Sequence, residues 1–219
     1  MATLLLRLQG PMQSWGTTSR FDERDTQLEP SKSGVLGLIC AALGRDRKES
    51  VADLAGLRMG VRVDREGIPM RDYQTATGAI RASGGISENA VVSPRFYLAD
   101  AAFLVGLEGT DRSQLEGIQE ALGSPVWPLS LGRKSFVPGL PVLLADGLQD
   151  QTLIVALETY PRLAPPQRGQ RTDGLRIMVE HDSEGSMRLD QPTAPFSERC
   201  FGPRFVKSGV VNVSDQVDA

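Results

Sequence analysis

The stretch Thr3-Leu-Leu-Leu-Arg-Leu8, followed by Gln9-Gly-Pro-Met-Gln-Ser-Trp-Gly16, sets the start of the fold. The first six residues are apolar enough to predict a short strand that is buried on both faces of a sheet. The glycine and proline that follow end this strand and open a long polar loop. Ser31 then precedes a second apolar run and Gly44 follows it, so we expect a helix between these two positions.

Further strands and a second helix are expected downstream of this helix. Residues 59–64 alternate apolar and charged side chains, as a half-exposed strand does. Residues 70–98 predict a long hairpin with a glycine-bearing tip, and 96–107 predict a long apolar strand. A helix is expected over 110–123, capped by its first residue, Thr110, and 126–129 return toward the sheet.

This order of elements is the split β-α-β pattern of a ferredoxin-like fold. We therefore predict an α+β protein with a ferredoxin-like, RRM-like βαββαβ domain over 1–145, from which the hairpin at about 70–98 projects. Residues 146–219 predict a small β-rich C-terminal appendage, with a strand over 152–158 and a hairpin over 175–189. RNA-recognition domains use the open sheet face of such a fold, although the fold alone does not give the function.

Composition narrows the class of protein. The chain has 219 residues, 24 Lys and Arg against 27 Asp and Glu, and a net charge of −3. This balance argues against a wholly basic nucleic-acid binder. No apolar run reaches the roughly 18 residues of a membrane span, and the first charge comes too early for a signal peptide. We expect a cytoplasmic protein.

Histidine and cysteine are scarce. His181 is the single histidine, and Cys40 and Cys200 lie far apart, so a zinc site of clustered His and Cys ligands is excluded. We expect no metal and no cofactor. A catalytic dyad of Cys200 with His181 is one interpretation, and a solvated histidine beside Asp182 is the simpler one.

Arginine outnumbers lysine, which occurs only at positions 32, 48, 134 and 207. The planar guanidinium suits two-point phosphate contacts better than an ammonium does. A GC-rich genome would produce the same excess of arginine. The positions of the arginines must therefore show whether they serve phosphate contacts.

Two stretches near the N-terminus carry candidate nucleic-acid contacts. Within 10–16, Trp15 either stacks on a base or seals the loop against the core. Ser31-Lys-Ser-Gly34 places Lys32 and backbone amides at a helix start, where they bind an anion or simply cap the helix. Its spacing does not match an NTP-binding loop.

Two further stretches lie at the hairpin and beyond it. Arg71-Asp-Tyr-Gln74 and Arg95-Phe-Tyr97 are the two ends of the hairpin, and pairing would bring both arginines, Tyr73 and Tyr97 together, as a single-stranded site requires. A cross-strand aromatic pair is the structural alternative. Leu131-Gly-Arg-Lys-Ser-Phe136 offers amides, a guanidinium, an ammonium and a hydroxyl to a phosphate.

Five motifs together resemble a known family. They are Gly10-Pro-Met-Gln-Ser-Trp-Gly16, Ser33-Gly-Val-Leu-Gly-Leu38 with Ala42-Leu-Gly44, Met70-Arg-Asp-Tyr-Gln-Thr75, Arg95-Phe-Tyr-Leu-Ala-Asp100 and Leu131-Gly-Arg-Lys-Ser-Phe136. Their order and spacing resemble the CasD subunits of the type I-E CRISPR Cascade complex, which belong to family five of the CRISPR-associated proteins in the RAMP (repeat-associated mysterious protein) superfamily. The resemblance runs to about Pro141, and more loosely to Val206.

The resemblance implies a non-catalytic RNA-binding subunit of a ribonucleoprotein complex for antiviral defence. Such subunits hold the 5′ handle of the CRISPR RNA, cap the backbone, and contact the backbone subunit CasC and the large subunit CasA. Target DNA is met only through the assembled complex, and a thumb-like hairpin reaches toward the backbone subunit. By motif match, RNA contacts are expected at Gln13, Trp15, Lys32, Ser33, Gly34, Arg71, Tyr73, Arg95, Arg133, Lys134 and Ser135.

Two other functions stay open at this point. Relatives in another CRISPR subtype are metal-independent endoribonucleases that process CRISPR precursor RNA, and such cleavage would use a His, Tyr and Lys set. Lys134 and Tyr73 are available here, but His181 lies in no matching motif. A general single-strand RNA chaperone is the third class. The thumb tip over 79–92 has no aromatic residue, so an aliphatic such as Ile86 or Val91 is expected to act as the wedge between bases.

Overall fold

In the computed structural model, which describes residues 1–17, 23–81, 83–165 and 174–213, the chain is mixed α/β and antiparallel sheet dominates. The strands are β1 (Ala2–Gln9), β2 (Met12–Gln13), β3 (Arg58–Arg65), β4 (Ile68–Ala76), β5 (Val91–Ala99), β6 (Ala102–Gly109), β7 (Leu143–Gln149), β8 (Leu175–His181), β9 (Ser186–Pro192) and β10 (Phe201–Val211). The helices are α1 (Lys32–Leu43), α2 (Ala52–Ala55), α3 (Arg112–Gly123) and α4 (Leu153–Thr159).

Seven strands form one sheet in the order β7-β1-β6-β3-β8-β10-β9, and every neighbouring pair is antiparallel. β1 lies inside this sheet. Its leucines alternate between two cores, because Leu4 and Leu6 join one cluster and Leu5 joins the other. All three are 0% exposed, so the predicted burial of this strand on both faces is confirmed.

Helices cover both faces of the sheet. α1 and α3 pack together on one face, and α4 packs against β1, β3 and β6 on the other. Ser31 Oγ accepts a hydrogen bond from the Gly34 N–H, and Gly44 ends α1 at a φ of +69°, so both predicted ends of this helix are confirmed. The cap of α3 is Asp111 rather than Thr110.

The predicted hairpin is present and forms a second sheet. Its strands β4 and β5 pair without interruption from Ile68 opposite Ala99 to Ala76 opposite Val91. β2 pairs with the other side of β5, which gives the order β2-β5-β4. Every residue of β4 except Asp72 is exposed, so this strand is an open edge.

Three predicted elements after residue 125 are wrong. Residues 126–129 form no strand, and the strand beside β1 at that edge is β7. Residues 153–159 form α4, because Leu153, Ala156 and Leu157 have helical spacing and are all buried against the sheet. β8 and β9 do not pair as a hairpin, because β10 lies between them.

The C-terminal strands continue the seven-stranded sheet through the pairing of β3 with β8. Residue 145 falls within β7. The division of the chain into 1–145 and 146–219 stays a prediction. None of the helices in the described parts of the chain is long and apolar enough to cross a membrane.

Candidate nucleic-acid interface

Three stretches that are distant in sequence meet beside β5. Residues 23–26 run along β5, where the Arg24 N–H donates to the Pro94 carbonyl at 2.9 Å and the Phe96 N–H donates to the Arg24 carbonyl at 2.8 Å. The turn over 131–136 joins through the Ser14 N–H, which donates to the Leu131 carbonyl at 3.1 Å. These backbone bonds fix the positions of the side chains that each stretch carries.

The junction holds three arginines, Arg24, Arg95 and Arg133, which we call the arginine cluster. Arg133 Nη2 donates to the Phe96 carbonyl at 2.8 Å, and its guanidinium lies 5.3 Å from the centre of the Phe136 ring. Burial lowers the pKa of Arg133, and the like charges of Arg95 and Arg24 lower it further. Nη1 and Nε of Arg133 have no hydrogen-bond partner among the described residues, so the guanidinium still has donors for an anion.

Two carboxylates partly neutralise the positive charge of the arginine cluster. Asp72 lies directly opposite Arg95 in the pairing of β4 with β5. Asp72 and Asp25 both oppose the lowering of the Arg133 pKa. Asp72 also accepts a short hydrogen bond from the Gln74 amide. The local balance is therefore three arginines against two acids, which suits a small number of phosphates.

Gly132 positions the turn that carries Arg133. Its φ is +91°, and a Cβ there would lie 1.7 Å from the Ser14 carbonyl oxygen. Only glycine fits this backbone without displacement. Leu131 and Phe136 anchor the ends of the turn, at 0% and 8% exposure, while Lys134 and Ser135 are exposed between them. The turn thus presents an ammonium and a hydroxyl beside the guanidinium of Arg133, as the sequence predicts.

The hairpin does not bring all of its predicted contacts together. Directly opposed residues share a face of a sheet, so Arg95 lies on the face of Asp72, whereas Arg71 opposite Phe96 and Tyr73 opposite Pro94 lie on the reverse face. The expected grouping of Arg71 and Tyr73 with Arg95 is wrong. Tyr73 is 62% exposed, and Arg71 is also exposed, so each is open to a ligand on its own side.

Tyr97 is on the same face as Arg95 and packs on Phe136, with ring centres 5.8 Å apart. This contact replaces the expected pairing of Tyr97 with Tyr73. The Phe136 ring therefore contacts both Tyr97 of the hairpin and the Arg133 guanidinium of its own turn.

Gln13 and Trp15 are structural side chains. Gln13 Nε2 donates to the carbonyls of Leu8 and Ala101, at 3.1 and 2.8 Å, and Gln13 Oε1 accepts from Trp15 Nε1. Gln13 is 0% and Trp15 1% exposed, and Trp15 belongs to the main core. Their predicted contact with RNA is corrected: Trp15 seals the loop, and Gln13 ties β2 to the sheet.

The predicted anion site at the start of α1 is filled by the chain itself. Asp190 Oδ2 accepts the Lys32 N–H at 2.8 Å, and Lys32 Nζ lies 3.0 Å from both oxygens of Glu180. Burial lowers the pKa of Lys32, and Glu180 offsets part of this effect. Because Lys32 is 1% exposed, its predicted contact with RNA is corrected to an internal ion pair.

Ser33 and Gly34 follow Lys32 in the first turn of α1, and both are half-buried. A Cβ on Gly34 would lie 2.9 Å from the Trp15 ring, so this glycine permits the close approach of Trp15 to the helix. Neither residue adjoins the arginine cluster in the described contacts.

The residues of a nuclease do not assemble either. His181 Nδ1 accepts the N–H groups of Ser183 and Glu184, at 3.3 and 3.1 Å, and so closes the turn after β8. Lys134 and Tyr73 belong to the 131–136 turn and to the reverse face of the hairpin. The described residues contain no group of His, Cys, Asp and Glu side chains that could hold a metal ion.

Comparison with known proteins identifies the family. The family model described as CRISPR-associated protein (Cas_Cas5) matches residues 3–207. The chain belongs to the Cas5 family. A curated relative, the CRISPR system Cascade subunit CasD of Escherichia coli (strain K12), is 35% identical over 146 residues, which cover 60% of this chain and 65% of CasD. The match thus spans just under two thirds of that relative.

Two solved structures resemble this Cas5 protein over nearly its whole length. A structure titled as a crystal structure of a Cas protein has 49% sequence identity and a TM-score of 0.80, and covers 99% of this chain and 98% of its own. A chain of a CRISPR RNA-guided surveillance complex has 29% identity and a TM-score of 0.77, and covers 99% and 93%.

Arg24 is the residue of this Cas5 protein that sequence reasoning missed. It lies in the polar loop between β2 and α1, where neither periodicity nor a motif marks it. Its position beside Arg95 depends on an isolated parallel bridge between the two residues. Tertiary pairing of a loop with a strand leaves no local signal in the sequence.

Proposed function

We propose that the chain is a non-catalytic subunit of a type I-E Cascade complex that holds the 5′ handle of the CRISPR RNA and caps the backbone, in the cytoplasm. The observation that carries this function is the arginine cluster, which three distant stretches assemble beside β5. Membership of the Cas5 family and likeness to a subunit of a surveillance complex support it.

The arginine cluster would bind the RNA through its phosphates. Guanidinium groups make paired hydrogen bonds to phosphate oxygens, and the exposed Lys134 and Ser135 add an ammonium and a hydroxyl. Because β4 is the open edge of its sheet, a strand of RNA that crosses this edge would meet Arg95 on one face and Arg71 and Tyr73 on the other. On this route Tyr73 stacks on a base.

The strand order supports a ferredoxin-like domain. β1, β3, β6 and β7 lie in the order β7-β1-β6-β3, with α1 after β1 and α3 after β6. The hairpin β4–β5 is inserted between β3 and β6, and we propose that it acts as the thumb. Its tip exposes Ile80 and Ile86, at 84% and 69%, which suits burial against the backbone subunit CasC or between bases. CasA is the other proposed neighbour.

The arrangement of the described side chains fits an RNA-binding function better than an RNA-cleaving one. His181 already accepts two backbone N–H groups in a turn. Lys134 and Tyr73 lie on elements that do not bring them to this imidazole. Incubation of the chain with repeat RNA in the absence of metal should therefore leave the RNA intact.

Co-purification tests the proposed function. The tagged chain is co-expressed with the Cascade subunits and a repeat-derived RNA, and the bound RNA is sequenced. We expect a guide-bearing complex from the natural chain and loss of the handle RNA from the Arg95→Ala, Lys134→Ala double variant. Arg112→Ala is the matched control, because Arg112 is half-exposed on α3 and pairs with Glu116 at 2.8 Å. Failure of the natural chain to co-purify with the complex would exclude this function.

A further inference from the structure

Residues 23–31 connect the arginine cluster to the C-terminal strands, and we call them the linking segment. At one end Arg24 is held on β5, where its N–H donates to the Pro94 carbonyl at 2.9 Å and its carbonyl accepts the Phe96 N–H at 2.8 Å. At the other end Ser31 caps α1. Between these two ends, side chains of the segment contact β8 and β9.

Glu29 makes two of these contacts, and both are ion pairs. Its Oε2 accepts from Arg176 Nη1 on β8 at 3.2 Å, and its Oε1 accepts from Arg188 Nη2 on β9 at 2.6 Å. The side chain of Glu29 is 12% exposed, so these charge-assisted hydrogen bonds are screened less than they would be on an open surface. β8 and β9 do not pair with each other, because β10 lies between them. One carboxylate therefore fastens the linking segment to two separate strands.

Arg188 also reaches a second residue of the linking segment. Its Nη1 donates to Gln27 Oε1 at 3.1 Å, and Gln27 Nε2 donates to Thr17 Oγ1 at 3.1 Å. One guanidinium on β9 thus holds the segment at Gln27 and at Glu29, a few residues after Arg24. The segment that carries Arg24 is therefore held from β9 as well as from β5.

Glu29 has the wrong charge for a residue that binds RNA directly. A carboxylate repels phosphates, so its simple electrostatic effect on a nearby polyanion is to weaken binding. The contacts of Glu29 instead fasten the segment whose Arg24 bridges to Arg95 in the arginine cluster. An effect of Glu29 through Arg24 would therefore have the opposite sign to the effect of its own charge.

We propose that Glu29 is a positioning residue for RNA binding, an inference that rests on the proposed function. Its carboxylate holds the linking segment against β8 and β9, and the segment in turn holds Arg24 in the arginine cluster. When an amide replaces the carboxylate, both ion pairs are lost and an N–H group is placed against two guanidinium groups. RNA binding must then order the segment, at a cost in affinity.

The test measures the RNA affinity of the assembled complex, with repeat-derived RNA, for variants of this chain. Glu29→Gln removes the carboxylate and keeps the size of the side chain. Glu66→Gln is the matched control, because Glu66 pairs with the same Arg176 at 3.0 Å but lies outside the linking segment. Arg188→Met removes the guanidinium from β9 and serves as a second variant. Circular dichroism and the melting temperature verify that each variant is folded.

We expect Glu29→Gln to weaken binding about fivefold, and Glu66→Gln to change it less than about twofold. Arg24→Ala should weaken binding about tenfold, and adding Glu29→Gln or Arg188→Met to Arg24→Ala should cause no further loss. The magnitude of the slope of log K against log salt concentration should fall in Glu29→Gln, although this variant has lost a negative charge. A role in stability alone would lower the melting temperature without this change of slope.

Equal or higher affinity in Glu29→Gln, or a loss that is fully additive with Arg24→Ala, would overturn the positioning role while leaving the proposed function in place. Unchanged affinity in Arg24→Ala alone would do the same. If Glu29→Gln does not fold, the comparison of Arg188→Met with and without Arg24→Ala decides. RNA affinity that is unchanged by both Arg24→Ala and Arg95→Ala would remove the proposed function and the positioning role together.

Discussion

Gly132 shows how much the candidate site depends on one residue without a side chain. Its positive φ and its approach to the Ser14 carbonyl set the direction in which the next residue, Arg133, leaves the turn. The guanidinium then reaches the Phe96 carbonyl and the Phe136 ring. A methyl group at 132 would push the turn away from β2 and carry Arg133 with it.

Gly132→Ala is expected to lower the free energy of unfolding by about 1–3 kcal/mol from the backbone conformation alone, and to weaken RNA binding as well. Gly37→Ala is the matched control, since a Cβ at this position in α1 would meet nothing within 4 Å. That change should raise stability by about 0.5–1 kcal/mol. Urea unfolding measures both values, and equal stability of Gly132→Ala and the natural chain would contradict the strained turn.

Cys40 makes stability depend on pH in the alkaline range. Burial raises the pKa of this thiol from 9.0 to about 11. A thiol whose pKa is raised on folding makes its full contribution to the free energy of unfolding while the pH is below its pKa in the unfolded chain. This contribution is lost as the pH rises through its pKa in the folded chain. Between roughly pH 9 and 11 the natural chain should therefore lose about 2–3 kcal/mol that Cys40→Ala does not lose.

The pH profile of unfolding checks this expectation for Cys40. Cys40→Ala should be less stable by a constant amount below pH 9 because of lost packing, and the gap should close above it. Cys200→Ala is the control, because Cys200 is exposed and its loss should leave the profile of the natural chain unchanged. Parallel profiles for the natural chain and Cys40→Ala would contradict the raised pKa.

At the scale of elements, the sequence predicts regular structure well where a local pattern and the tertiary contacts agree. β1 and α1 are of this kind, since an apolar run, Ser31 and Gly44 all point to the observed bounds. α4 is the opposite case, because its run of Leu, Ile and Val favours a strand in isolation. Burial of Leu153, Ala156 and Leu157 against the sheet, and the Leu153 N–H donated to Glu108, stabilise the helix instead.

The candidate site shows the same division between local and tertiary signals. Motifs mark Arg95 and the turn that carries Arg133, whereas no local signal marks the loop that places Arg24. The faces of the hairpin depend on register, and a shift of one residue reverses every side chain. Sequence alone does not set the register, so a prediction from sequence places Arg71 and Tyr73 with Arg95. Burial of Lys32 depends on Glu180, which lies 148 residues away.

The tip of the hairpin leads to a prediction about assembly. Ile80 and Ile86 are exposed and pair with each other across the tip, so a change to serine at both removes apolar surface without opening a core. We expect the double variant to keep its melting temperature within about 2 °C. It should co-purify with the Cascade subunits at a yield reduced several-fold, because the tip would lose the apolar contact that we propose for it.

Val210→Ser is the matched control for this experiment on the tip. Val210 is 72% exposed on β10, far from the hairpin in the order of the elements. Its substitution should change neither the melting temperature nor the yield of the complex. Equal yields from the tip variant and the Val210 variant would show that the tip makes no apolar contact in the assembly.

For the whole molecule, a net charge of −3 means that the chain as a whole does not attract a polyanion such as RNA. Many basic residues are used internally, as in the fully buried pair of Arg62 with Asp64 and the pairs that Arg176 and Arg204 make with carboxylates. The arginine cluster and the exposed Lys134 gather positive charge at one place. Binding should therefore involve a few phosphates and depend on their position, rather than on attraction to the molecule as a whole.

Salt dependence measures this count of phosphates. For single strands, the slope of log K against log salt concentration changes by about 0.7 for each phosphate that is neutralised. Arg95→Ala is expected to weaken binding by about 1–3 kcal/mol and to reduce the slope by about 0.7, because it removes one such contact. Arg112→Ala, which removes the same charge from α3, should leave both quantities unchanged. If the two variants reduce the slope equally, attraction is set by total charge, and the arginine cluster is not the site.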